Sequence, residues 1–241
     1  MLFEENGENR WSQKFWSKIL GSIFVLPFIM WIWPWAVPFR FFEFWGVRGT
    51  VSEWLYTAWP IFAWGTGVSL ILALFTRNKR DTNRHAERIL VGGTLISIFA
   101  GVIEEITFRW LFFLGGIISV KVGNFLFFGF FGFGIPSWFH LNVFGPIANW
   151  TTLYALKPYI FHETGWAVGA AMLATNAFFR DGHKYQGWFG WVNSWFGGMF
   201  LFWIMFQYGL PAAILIHFIY DFLIYAVRYL DAAIERALGY V

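Results

Sequence analysis

The run from Ile89 to Val120 constrains this chain more than any other. It is apolar almost throughout, yet Glu104, Glu105 and Arg109 stand in its middle, in Gly101-Val102-Ile103-Glu104-Glu105-Ile106-Thr107-Phe108-Arg109-Trp110. A charge at bilayer depth costs about 3 kcal/mol on insertion scales, so adjacent acidic residues there are a site hypothesis by default. The run also exceeds the roughly 20 residues that cross a bilayer. Gly115-Gly116 is the expected break, leaving Trp110 to Val120 as a bent continuation or a re-entrant piece.

Composition agrees with a membrane environment. Hydrophobic residues make up 58% of the 241 and charged ones 13%, against about 25% charged in soluble domains. The net charge is +3. Its basic residues fall in short loops, as on the cytoplasmic side of membrane proteins, which argues for orientation and against nucleic-acid binding. With no cysteine, thiolate chemistry, disulfides and cysteine-held metals are excluded. The 17 Trp and 32 Phe suit lipid-facing surface and interfacial belts, and equally a cradle for a flat ligand such as a pigment. Glu4, Glu5 and Glu8 precede the first apolar run and no small-residue cleavage site follows, so a retained first span is expected, not a secretory signal.

Along the chain, Trp11, Phe15, Trp16, Ile19 and Leu20 mark an interfacial helix that leads into a span at about 20–37. An aromatic loop at 38–49 and a second span at 54–75 follow. Arg77 to Arg88 holds five basic and two acidic residues and reads as cytoplasmic. Further apolar regions lie at 122–141, 166–179, 187–208 and 210–229, with a mixed segment at 144–161 that fits a short span or a surface segment, a loop at Arg180–Lys184 and a charged tail. The expected architecture is all-α: one integral-membrane domain over 1–241, a polytopic helical bundle of about seven or eight transmembrane or re-entrant segments.

On an α-helix Glu105 and Arg109 are four apart with the acid first, the order in which such pairs attract. Glu104 lies about 100° around the helix. Left unpaired and buried, it would be a carboxylate of raised pKa suited to general-base work. A structural ion pair with a snorkelling carboxylate fits the same residues. His140 stands alone among apolar neighbours, where a hydrogen-bonded packing histidine is common. His217 and Asp221, again four apart, fit an internally bonded pair that holds the last span, or ligands to one metal ion. His162, Glu163 and His183 fall near predicted ends or loops and read as surface residues.

The ordered set Glu-Glu-x-x-x-Arg, then a lone His, then His-x-x-x-Asp, each in its own apolar segment, resembles the CAAX-protease and bacteriocin-processing family of intramembrane glutamate endopeptidases. The matching residues are Glu104, Glu105 and Arg109, then His140, then His217 and Asp221, within a core of about 89–229; residues 1–88 supply N-terminal spans and the basic loop. Pro136 stands where the family's second motif has Phe, and a helix bend before His140 is expected from it. The resemblance implies a metal-independent protease of a cytoplasmic-type membrane, acting on membrane-associated peptides or proteins with no cofactor. Glu104 and His140 would activate a water, His217 with residue 221 would stabilise the oxyanion, and Glu105 and Arg109 would support the helix. Because an ionised Asp221 would repel an oxyanion, it is expected to orient a protonated His217. Two other readings stay open. One is a zinc peptidase with Glu104, His140 and His217 as ligands. The other is a non-catalytic subunit, immunity protein or scaffold in a larger membrane complex, even one that holds pigment.

Overall fold

A computed structural model describes residues 8–76, 86–162 and 165–238. Most of the basic run, residues 77–85, lies outside them, as do Glu163 and the side chains of 11–16 that were read as an interfacial stripe. Among the described residues every regular element is helical. The long helices are α1 (Glu8–Ile32), α2 (Val51–Thr76) and α3 (Ala86–Glu104), which passes into a π-helical turn at Glu105–Leu111 and then α4 (Phe112–Leu126). Short pieces follow: α5 (Ile135–Phe139), a second π turn at His140–Phe144, α6 (Gly145–Thr151) and α7 (Lys157–Ile160). Then come α8 (Trp166–Gly182), α9 (Gly187–Tyr208) and α10 (Leu210–Ala237).

Four helical stretches among the described residues are long and apolar enough to cross a membrane: Val51–Leu74, Glu87–Leu126, Lys184–Tyr208 and Leu210–Ala237. The span Val51–Leu74 has only 11% of its apolar window buried in the protein. Trp31, Tyr56 and Trp188 are each more than three-quarters exposed. Surfaces of this kind belong against hydrocarbon, and they mark a membrane protein.

Several sequence expectations are redrawn. Gly115-Gly116 does not break the helix; α4 runs through both. Gly116 instead lets α8 come close, since a Cβ there would lie 3.3 Å from that of Ala171. The irregularity falls earlier, in the π turn that starts at Glu105. The apolar region 122–141 is divided after Leu126 by a Phe-rich turn. Asn124 organises that turn by accepting the Ser137 amide at 2.8 Å, and Gly132 supplies a φ of 90°. Pro136 lies in the first turn of α5, where a missing N–H costs no helical bond. It starts a helix and does not kink one. Arg180–Gly182, expected in a loop, form the last turn of α8, and α10 continues through the charged segment to Ala237.

The described residues fall into two compact units. One comprises Met1–Phe44 and Ile106–Trp203 and is centred on α4 against α8, with Phe113, Leu114, Ile117, Ala171 and Met172 fully buried. Phe39 and Phe44 pack on Phe113 from one side and Phe202 from another. The other unit comprises Trp45–Glu105 and Ile204–Val241 and consists of α10 packed on α2 and α3.

In this second unit small residues set the packing. Cβ atoms on Gly65 and Gly93 would overlap the rings of Tyr220 and Tyr225, and one on Gly101 would lie 3.1 Å from the Ile214 carbonyl oxygen. Gly93, Ser97 and Gly101 are four apart and so share one face of α3. Ser97 turns its hydroxyl back to the Gly93 carbonyl at 2.7 Å. Such small stripes let membrane helices approach closely. With Gly93 under Tyr225 and Gly101 beside Ile214 and Phe218, α3 and α10 run antiparallel.

Candidate active site

The small stripe of α3 continues four residues on to Glu105. Where Gly93, Ser97 and Gly101 have brought α10 close, Glu105 meets His217. His217 Nδ1–H donates to Glu105 Oε1 at 2.7 Å, and Glu105 is fully buried. This is the length of a charge-assisted bond. It also settles which ring edge is committed: Nδ1 faces Glu105, and Nε2 faces the other way.

Two more carboxylates stand near that second edge. Glu104 Oε2 lies 3.8 Å from Nε2 and Asp221 Oδ2 lies 3.6 Å from it. Both are beyond direct hydrogen bonding but within ion-pair reach. Asp221 gets there because it is one helical turn after His217. Glu104 and Asp221 keep 30% and 25% of their side-chain surface accessible, whereas His217 keeps 6%. The Glu104 and Asp221 side chains are therefore partly open, although Glu104 Oε2, the oxygen nearest Nε2, is itself buried, and the Glu105 edge is sealed.

The expected division of labour changes in one respect. Asp221 was expected to orient His217. The short bond to the ring comes from Glu105, and Asp221 sits at longer range on the opposite nitrogen. The stripe Gly93-x-x-x-Ser97-x-x-x-Gly101-x-x-x-Glu105 was the sequence signal for this contact, since four-residue spacing puts Glu105 on the helix-packing face.

Arg109 and His140 belong to the first unit. Arg109 is fully buried, its guanidinium carbon 3.9 Å above the Phe179 ring and 5.6 Å from that of Phe202. Cation–π contacts of this kind hold a desolvated guanidinium. Gly198 makes room for them, because a Cβ there would lie 3.0 Å from Arg109 Nη2. The α-helical spacing rule holds up to Glu104 but not across Glu105–Arg109, which are in the π turn. His140 is buried, and its Nε2 lies 2.9 Å from the Ile160 carbonyl oxygen. A carbonyl only accepts, so Nε2 carries a proton, and in the neutral ring Nδ1 is left as an acceptor. Gly169 permits this bond, since a Cβ there would overlap the Ile160 carbonyl.

No family model, curated protein or solved structure matches this chain. The chemistry of the cluster therefore has to be judged from its own geometry. His183, read as a surface residue, is half-buried and donates from Nδ1 to the Phe179 carbonyl at 2.8 Å. His162 sits edge-on to Phe39 with ring centroids 5.6 Å apart. Among the described residues no group of three or more His, Cys, Asp or Glu is placed to hold a metal ion.

Proposed function

We propose that this chain is an intramembrane endopeptidase, a multi-pass protein of a cytoplasmic-type membrane that cleaves membrane-associated peptides or proteins. One observation carries the reading: His217 is anchored by Glu105 at one nitrogen while the other faces the partly exposed side chains of Glu104 and Asp221. A fixed imidazole next to a separate carboxylate supplies both a base and an oxyanion donor. In this reading Glu104 takes a proton from a water, whose oxygen attacks the peptide carbonyl carbon. The carbonyl oxygen becomes the oxyanion and receives the Nε2–H of His217. Glu104 then returns the proton to the leaving nitrogen as the C–N bond breaks, giving a carboxylic acid, which ionises in water, and an amine. Glu105 holds the ring through Nδ1. Asp221 favours the protonated imidazole without touching the oxyanion.

The test is to reconstitute the purified protein in liposomes with a set of membrane-inserted peptides and to read new N-termini by mass spectrometry. Wild type produces them, and Glu104→Gln loses activity by about 10²–10⁴-fold. His217→Ala loses about 10²–10³-fold, and Asp221→Asn stays close to wild type. A chelator leaves the activity unchanged; a loss that zinc restores would move the assignment to a zinc peptidase. Cleavage that is equal in Glu104→Gln and wild type would reduce the cluster to a structural ion pair.

A further inference from the structure

The first unit contains a cavity of about 790 Å³, with His140 on its wall. It falls within the range of roughly 300–1,000 Å³ typical of small-molecule sites. Its floor is α8, where Ala170, Ala174 and Ala177 line it. These three residues follow the spacing of one helical face, and their small side chains leave a trough along it. Arg180, also on the lining, closes the trough one turn on. From Ala170 to Arg180 the helix rises about 15 Å, which is the scale of an acyl chain.

The entrance is apolar as well. Phe127, Phe139, Phe144 and Ile147 line the cavity and are themselves exposed, each at 42–58%. A ligand that enters past them comes from the hydrocarbon of the bilayer and not from water. At the far end Arg180 lies over Trp191, with its guanidinium carbon 4.1 Å from the ring centroid. Its Nε and Nη2 engage Asp181 Oδ1 at 2.9 and 2.8 Å, and Lys184 reaches the same carboxylate at 3.1 Å. Two cations against one anion leave this end positive, and the Nη1 side of Arg180 is outside the Asp181 contact. Arg180 and Lys184 stand just before and at the start of a candidate span, Lys184–Tyr208, the part of a membrane helix where cationic side chains and Trp commonly meet headgroups.

We infer that this cavity is a lipid site: one acyl chain of an anionic phospholipid lies along Ala170–Ala177 with its phosphate beside Arg180. His140 contributes to the wall, its Nε2 already bonded to Ile160. The assignment does not rest on the peptidase reading: of the residues the resemblance names, only His140 lines the cavity, and none of Glu104, Glu105, His217 or Asp221 takes part.

Native mass spectrometry of the full chain, released from nanodiscs of phosphatidylcholine with a minority of phosphatidylglycerol, tests it. Wild type retains one phosphatidylglycerol, favoured over phosphatidylcholine by about fivefold, the size expected of one cationic side chain near an anionic headgroup. Arg180→Gln keeps a lipid but loses that preference, and Arg180→Lys restores part of it. Ala170→Trp fills the trough and abolishes retention; Ala170→Leu, a gentler filling, reduces it while circular dichroism remains that of wild type. Wild type without a retained lipid, unchanged retention in both filled variants, or equal uptake of the neutral lipid would overturn the inference.

Discussion

His217 is buried among three carboxylates, and the one at hydrogen-bond distance is the one that spacing along a single helix could not reveal. Glu105 reaches it from another helix at 2.7 Å, whereas Asp221, its own-helix neighbour, remains at 3.6 Å. Breaking a buried charged pair by removing one partner costs about 3–5 kcal/mol, because the other is left without compensation. Glu105→Ala is therefore expected to destabilise the protein by about that amount, and Glu105→Gln, which keeps an acceptor for Nδ1–H, by clearly less; thermal unfolding in detergent measures both. At the polar end of α8 the Trp191 indole N–H, the Lys184 ammonium and the Arg180 guanidinium hold the Asp181 carboxyl down at about 2, from an ordinary 3.8. A carboxyl with a lower pKa in the folded state stabilises above its unfolded value, and that contribution fades as pH falls through the folded value. Wild type and Asp181→Asn are thus expected to differ most above about pH 4 and to converge toward about pH 2, as seen in denaturation midpoints across that window.

The contact between α3 and α10 governs whether the cluster forms at all. In lipid the hydrophobic effect gives helices little reason to associate, so close backbone approach and van der Waals packing carry the interface. Gly101 faces backbone atoms of Ile214 and Phe218 at 3.1–3.3 Å, and a larger side chain there must push the helix away. Gly101→Leu is expected to cost about 1–3 kcal/mol, typical of overpacking, and to lower activity by separating Glu105 from His217. Gly92 has nothing within 4 Å of its Cβ position, so Gly92→Ala should be neutral or slightly stabilising because alanine favours helix. Unfolding of the two variants in mixed micelles makes the comparison. If both lost stability equally, the glycine stripe would not be the interface. The same stripe shows what could be read in advance. Gly93, Ser97, Gly101 and Glu105 stand four apart in the sequence, but their meaning depends on which face α10 covers. The π turns at Glu105–Leu111 and His140–Phe144 left no comparable trace, because a change from i→i+4 to i→i+5 bonding alters no residue type.

For the whole molecule, the membrane reading and the helical class were legible from hydropathy and the scarcity of charge, and the long helices α2, α9 and α10 lie close to the apolar runs that suggested them. Less legible was how the intermediate runs are used. Residues 122–141 have the composition of a span but form short pieces, because Asn124 and the glycines around it close a turn where apolar content alone would extend a helix, and the mixed segment 144–161 is divided where Leu153 and Tyr154 take positive φ. Exposure on α2 and around the Phe-rich turn likewise follows from packing and not from composition, since Phe and Leu suit a core and lipid equally. The sequence by itself determined that this chain lives in a bilayer as helices and that Glu104, Glu105, Arg109, His140, His217 and Asp221 are its costly polar residues, because hydropathy and charge are local properties of the chain. Only the tertiary structure decided that Glu105 anchors His217, that Arg109 rests on Phe179, and that three alanines and Arg180 frame a cavity. Each of these depends on which helix faces which, a relation between residues distant in sequence that no local period encodes.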